Sequence, residues 1–248
     1  MRKLGAVFDP KTRYKALFLS ILFTGLAYGL YKGVLDNYLA EIVTLSELGR
    51  GVSEFFRELP GLALVLILAA LYMFSAEGIY KIGAVIMLVG MAMHGIVPPN
   101  RVLITIAICI YSLGEHMQMG MKSTMTLQYA RPDKGGEALG MQSAVNQIGT
   151  LAGYLIIVAL FLFVPSNSTS YRLVFAAAAV ITGVSALYGF RLTGQSQTDG
   201  SARRFYFDKK YTKFYFLEVF YGARKQVFLT FGPYVLILFY GASTTVIS

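Results

Sequence analysis

The stretch at 102–124, VLITIAICIYSLGEHMQMGMKST, decides how the chain is read. Its first twelve residues, Val102 to Leu113, suit the hydrocarbon interior of a bilayer. Glu115 and His116 then follow side by side, with no polar loop between. An ionised side chain in a membrane costs at least about 2.5–3.5 kcal/mol, so it belongs against a partner or a cavity. Adjacent helical residues point about 100° apart, so Glu115 and His116 need not share a partner. The spacing predicts Glu115 on a cavity face with Gln118 and Met119. His116 is expected either in that cavity or bonded to a neighbouring helix.

The rest of the chain supports a membrane setting. Of 248 residues, 56% are hydrophobic and 14% charged, against about 25% charged in ordinary soluble domains. The apolar residues form blocks of membrane-spanning length separated by short charged connectors. We read seven helices: 16–39, 51–74, 78–97, 102–128, 138–164, 173–190 and 214–240. Pro98, Pro99 and Asn100 form a breaker and N-cap before the fourth. The turn PSNSTS at 165–170 contains an Asn167 sequon, a motif common by chance. The first apolar block is too long for a cleaved leader and reads as a span. Cys109, the single cysteine, excludes an intrachain disulfide and reads as a small apolar packing residue.

Charge placement predicts orientation. Arg2, Lys3, Lys11, Arg13 and Lys15, then Lys81, Lys122, Arg131 and Lys134, then the basic run from Arg191 to Lys213 fall on one side. Only Arg50, Arg101 and Arg172 fall on the other. The positive-inside rule puts the amino terminus in the cytoplasm and the chain in the inner or plasma membrane. The net charge of +9 then reads as a topology signal rather than as nucleic-acid binding. Residues 191–213 read as a basic cytoplasmic linker, with an amphipathic piece at ARRFYFDKKY.

The interior charges choose their helices. Lys32 and Asp36 share a face of helix one, as do Glu54, Arg57 and Glu58 on helix two. Helix four has Glu115 and His116; helix seven has Glu218, Arg224 and Lys225. Helix five repeats Gln142, Asn146, Gly149 and Gly153, the glycines as a packing motif. Helices three and six look lipid-facing. This pattern predicts a polar cavity walled by helices one, two, four, five and seven. Interhelical salt bridges that lock the bundle are the competing explanation for Lys32, Asp36, Glu54 and Arg57.

Helices one and seven resemble each other. Tyr14, Phe23, Gly25 and Leu39 match Tyr211, Phe220, Gly222 and Leu236 at a constant offset. Helix seven would then open a second repeat, as in many secondary transporters.

On these residues the chain resembles the major facilitator superfamily. The resemblance covers the amino-terminal six-helix half (1–190), the basic linker (191–213) and the first helix of the second half (214–248). It implies an all-α integral membrane protein with a cavity lined by helices one, two, four and five. RGVSEFFRELPGLALV at 50–65 is similar to a stretch in bacterial members of unassigned substrate. The family's gating loop, of the form G-x-x-x-D-R-x-G-R-K, stands here as MFSAEGIYKIGA at 73–84. Glu77 takes the place of its acid and Lys81 of one base; the other positions depart. His116 precedes Gly120 by four residues, where the family's helix-four motif has an arginine. Helix five lacks the proline of the antiporter motif. The resemblance implies twelve helices, so five more are expected after Ser248 and the chain is read as incomplete.

The expected activity is secondary transport of a small solute by alternating access, coupled to protons. Coupling needs a group that exchanges a proton as its surroundings change, and Glu115 and His116 are of that kind. No catalytic residue, cofactor or metal is expected. The alternatives are a non-transporting membrane scaffold, a membrane enzyme and a retinal-type receptor using Lys225. GEHMQMGMKST lacks the spacing of a phosphate loop, since Met121 intervenes before Lys122. The cytoplasmic amino terminus and the absence of tryptophan disfavour the receptor.

Overall fold

The computed structural model describes residues 4–193 and 208–248, the side chains of residues 4–5, 218–219 and 221–227 excepted. Seven long helices dominate the described residues: α1 (Tyr14–Asn37), α2 (Glu47–Ala70), α3 (Ala76–Ile96), α4 (Arg101–Tyr129), α5 (Gly135–Phe161), α6 (Ser168–Phe190) and α7 (Thr212–Tyr240). Single helical turns occupy Leu4–Val7, Lys209–Tyr211 and Thr244–Ile247. Among the described residues there is no strand; Phe8 and Ala130 form one isolated bridge.

Polar caps start four of the helices. Ser46 accepts from the Gly49 amide and Ser75 from Gly78. Asn100 accepts from Val102 and Leu103, and Asn167 from Ser170. Each cap satisfies amides that have no partner within the helix. Asn167, the sequon residue, therefore serves as a helix cap. At its far end α1 widens into a π-turn over Tyr38–Ile42, a feature that recurs near functional sites.

Five helical segments are long and apolar enough to cross a membrane: Tyr14–Ile42, Ala76–Ile96, Arg101–Tyr129, Gly135–Phe161 and Ser168–Phe190. By length and composition the chain is an all-helical, multi-pass membrane protein. Seven long helices stand where the sequence placed seven, and among the described residues five of them meet that criterion. Glu47, Arg50, Glu54, Arg57 and Glu58 load the first half of α2 with charge. In α7 an apolar stretch runs over Phe228–Tyr240.

Packing follows the small residues. α1 lies centrally against α5 and α6; α3 packs on α4 and α6, and α2 on α4. A Cβ on Gly25 would collide with the Asn146 carbonyl, and one on Gly29 with the Thr150 carbonyl. Gly149 and Gly153 meet the Leu22 and Leu26 carbonyls in return. The α1–α5 seam is thus a double small-xxx-small contact, in which backbones touch directly. A second seam sets Gly90 of α3 against Tyr111, and Gly114 of α4 against the Met87 backbone.

α3 and α6 do more than face lipid. His94, fully buried in α3, donates from Nδ1 to the Gly90 carbonyl (2.8 Å) and lies 3.3 Å from the Tyr31 hydroxyl of α1. Ser185 of α6 donates to the Ser20 carbonyl (2.8 Å) and lies 2.7 Å from Thr24 Oγ1. Arg172 at the start of α6 caps the end of α3 through the Gly95 and Ile96 carbonyls. Both helices nevertheless present exposed apolar residues outward, among them Val85, Val89, Val180 and Leu187.

The α1–α5 seam leaves no room for a side chain. Gly29→Leu should destabilise the protein by about 1–3 kcal/mol or more, because backbone cannot yield. Thermal unfolding in detergent checks this against Gly140→Leu, where nothing lies within 4 Å and the melting temperature should hold. Equal melting temperatures for the two variants would contradict the seam.

Candidate functional site

An ionic chain joins α1 to α2. Arg50 donates through Nε (3.2 Å) and Nη2 (3.0 Å) to Asp36 Oδ1, and through Nη1 to Glu54 Oε2 (2.7 Å). Arg57 donates through Nε (2.8 Å) and Nη2 (2.6 Å) to Glu54 Oε1, and its Nη2 also meets Glu58. Lys32 Nζ lies 3.9 Å from Asp36 Oδ2, one turn away on α1. Cations and carboxylates alternate along this chain, and its formal charges cancel. Arg50 is 1% exposed, Asp36 3% and Glu54 6%, so the pairing is largely closed to solvent. The Arg50 guanidinium also lies 5.8 Å from the centre of the Tyr234 ring of α7, and Tyr234 donates to the Leu45 carbonyl (2.7 Å).

Beside this chain runs a polar cleft in two chambers. The first, about 370 Å3, is lined by Thr24 and Tyr28 of α1, Tyr80 of α3, Tyr111, Glu115, Gln118 and Lys122 of α4, and Asn146 and Thr150 of α5. The second, about 560 Å3, is lined by Tyr28, Lys32 and Asp36 of α1, Arg57 and Glu58 of α2, Glu115 and His116 of α4, Tyr154 of α5 and Thr230 and Pro233 of α7. Tyr28, Glu115 and Met119 line both, so they sit where the chambers meet. These volumes lie in the range of small-molecule sites.

Glu115 and His116 separate as adjacent helical residues must. Glu115 stands at the chamber junction and makes no hydrogen bond or ion pair among the described residues. Lys32, Arg57 and His116 share the second chamber with it, and Lys122 the first. His116 turns toward α2: its Nδ1 donates to the Ser112 carbonyl (2.8 Å). Ser112 in turn donates to the Arg57 carbonyl. A Cβ on Gly61 would meet the His116 ring, so Gly61 is what lets α2 approach that imidazole.

The other sequence candidates divide. Lys32, Asp36, Arg57 and Glu58 line the second chamber, while Glu54 is tied up between Arg50 and Arg57. Asn146 lines the first chamber and accepts from Lys122 Nζ (3.3 Å). Gln142 is buried one turn earlier, is not among the residues lining either chamber, and its Oε1 has no partner. The side chains of Glu218, Arg224 and Lys225 lie outside the described residues, as do Arg203 and Arg204 of the linker. Glu77 and Lys81 belong to α3 rather than to a loop. Glu77 is buried and accepts from Tyr129 (3.3 Å); Lys81 donates to the Leu192 carbonyl (2.7 Å). Both sit where α3 meets the ends of α4 and α6, away from the cleft.

Two cations depart from the sequence reading. Arg50 was expected in a loop but lies in the first turn of α2, fully buried. Lys122 was counted among the cytoplasmic topology charges but lies two turns before the end of α4, inside the first chamber. Spacing carries a signal for both: Arg50 precedes Glu54 by four residues and Arg57 by seven, and Lys122 follows Glu115 by seven. Among the described residues no group of three or more His, Cys, Asp or Glu side chains could hold a metal ion.

No family model matches the chain, and no curated protein matches it at a significant level.

Breaking the Arg50 pairing leaves Asp36 and Glu54 buried with fewer partners. Arg50→Met should cost about 3–5 kcal/mol, the range for an uncompensated buried charge. Adding Asp36→Asn in the same chain should recover part of that loss. Melting temperatures of the single and double variants in detergent measure the coupling; strict additivity would show that the contact is energetically idle.

Proposed function

We propose that this chain is a proton-coupled secondary transporter of a small solute, working by alternating access. The observation that carries the reading is Glu115, an acid with no hydrogen-bond or ion-pair partner among the described residues, at the junction of two polar chambers in an apolar helical bundle. Membrane-embedded carboxylates of this kind mark solute and proton paths.

The charges nearby serve two purposes in this reading. Arg50 pairs with Asp36 and Glu54 and holds α1 to α2, and Lys32, Arg57 and Glu58 bring the series to neutrality. Glu115 is left free to exchange a proton with solvent or solute as the cleft opens to one face and then the other. Arg57, on α2, changes its field whenever α2 moves relative to α4. A six-helix arrangement of the major-facilitator kind, with the amino terminus in the cytoplasm of a cell membrane, accommodates this scheme. Its elements are the central α1, the cleft between α1, α2, α4 and α5, and α7 closing one end at Thr230 and Pro233. The partners are the solute, protons and the bilayer. No enzymatic step or cofactor is required.

Proteoliposomes carrying the full chain and an internal pH dye test the proposal. An inward proton gradient should drive uptake of at least one member of a solute library, with co-entry of protons. Glu115→Gln should abolish the proton-driven component while helical content and expression persist. Uptake with unchanged pH dependence in that variant would remove Glu115 from the coupling step. No proton-linked uptake of any solute by the parent chain would remove the transport reading itself.

A further inference from the structure

The first chamber carries opposite charges at its two ends and an unsatisfied amide between them. Glu115, Gln118 and Lys122 are spaced i, i+3 and i+7, so they form one stripe along α4. Glu115 and Lys122 are two turns apart, a rise of about 10 Å along the axis. Gln118 is 3% exposed, and neither its Nε2 nor its Oε1 has a hydrogen-bond partner among the described residues. A buried amide with nothing to bond costs about 1–3 kcal/mol. It lines the chamber midway between the two charges, where a ligand with both a donor and an acceptor satisfies it.

The surroundings of each end differ. At the Glu115 end stand the phenol rings of Tyr28 and Tyr111. A carboxylate beside aromatic faces is a site for an ammonium group. At the Lys122 end stands Asn146. Lys122 has one neutral contact there, to Asn146 Oδ1 at 3.3 Å, and two further N–H donors. That end suits a carboxylate. The charges of the stripe sum to zero, so a solute of either net charge would leave one end uncompensated, whereas a zwitterion neutralises both.

We infer that the first chamber binds a small zwitterionic solute, its ammonium group on Glu115 and its carboxylate on Lys122, with the Gln118 amide bonded between. This rests on the reading of the cleft as the solute site, and adds the chemical class of the solute. The same geometry gives Glu115 two tasks: it holds the ammonium when ionised and releases it when protonated.

Calorimetric titration of the full chain in detergent tests the assignment with matched probes. These are 4-aminobutanoate and L-leucine as zwitterions with wide and narrow charge spacing, butylamine as cation, butanoate as anion and glucose as neutral solute. At least one zwitterion should bind tenfold or more tightly than butylamine, butanoate and glucose. Glu115→Gln should weaken the zwitterion at least tenfold and raise the preference for butanoate. Lys122→Met should weaken it equally and raise the preference for butylamine. That exchange of charge preference is not produced by loss of fold, and circular dichroism of both variants verifies their helical content. Equal affinity across the probes, binding of glucose alone, or no zwitterion binding by the parent chain overturns the assignment. Transport of a non-zwitterionic solute in proteoliposomes would then leave the transport reading standing. Zwitterion binding without any flux would do the reverse.

Discussion

A guanidinium group that is 1% exposed inside an apolar helical bundle has to be neutralised by the protein itself. Arg50 meets that constraint by bonding Asp36 on α1 and Glu54 on its own helix. The rest of the polar interior follows from this one arrangement. Glu54 is shared with Arg57, and Arg57 with Glu58. Lys32 completes the series from the α1 side. Once these six charges are matched, Glu115 and Lys122 remain as described cleft charges that no carboxylate–cation contact within 4 Å satisfies. A buried salt bridge is a poor source of net stability compared with apolar packing. Its effect here is to set where α2 lies against α1, and so the wall of the second chamber.

Glycine seams make that placement possible. Helices in lipid gain little from burying apolar surface and rely on close contact instead. Gly25 and Gly29 against Gly149 and Gly153 bring α1 and α5 backbone to backbone. α1 is thereby fixed in the middle, where Tyr28, Lys32 and Asp36 face the cleft. Gly61 does the same locally for α2 and His116. The residue after Pro60 is thus small at the point where a histidine of α4 approaches. Polar contacts from α3 and α6, through His94 and Ser185, hold α1 from its other side.

The long helices were legible because apolar blocks and their stops are local signals. Asn100 and its two prolines marked the start of α4, and the structure finds Asn100 accepting from Val102 and Leu103. The segregation of interior charge was legible too, since Lys32 with Asp36 and Glu54 with Arg57 are spaced as same-face neighbours. Misplacement came from counting cations as loop charges. Arg50 and Lys122 stand close enough to helix ends to pass as topology signals, yet long helices carry both inward. Gln118 was placed beside Glu115 by spacing alone, but its unsatisfied amide is a three-dimensional fact. So is the α1 half of the glycine seam: Gly25-x-x-x-Gly29 is written in the sequence, but its partner helix is not.

The division between locked and open charge requires the cleft to be a watered space within the membrane while the outer helix faces meet lipid. Met119 lies at the junction of both chambers and is 52% exposed; Val180, on the outward face of α6, is 68% exposed. Single cysteines at these positions, in a Cys109→Ser background, can be reacted in intact membranes with a charged, water-borne thiol reagent. The cysteine at 119 should react at least tenfold faster than the one at 180, despite the greater geometric exposure of the latter. Equal rates, or a faster reaction at 180, would contradict a water-filled cleft within a lipid-facing bundle.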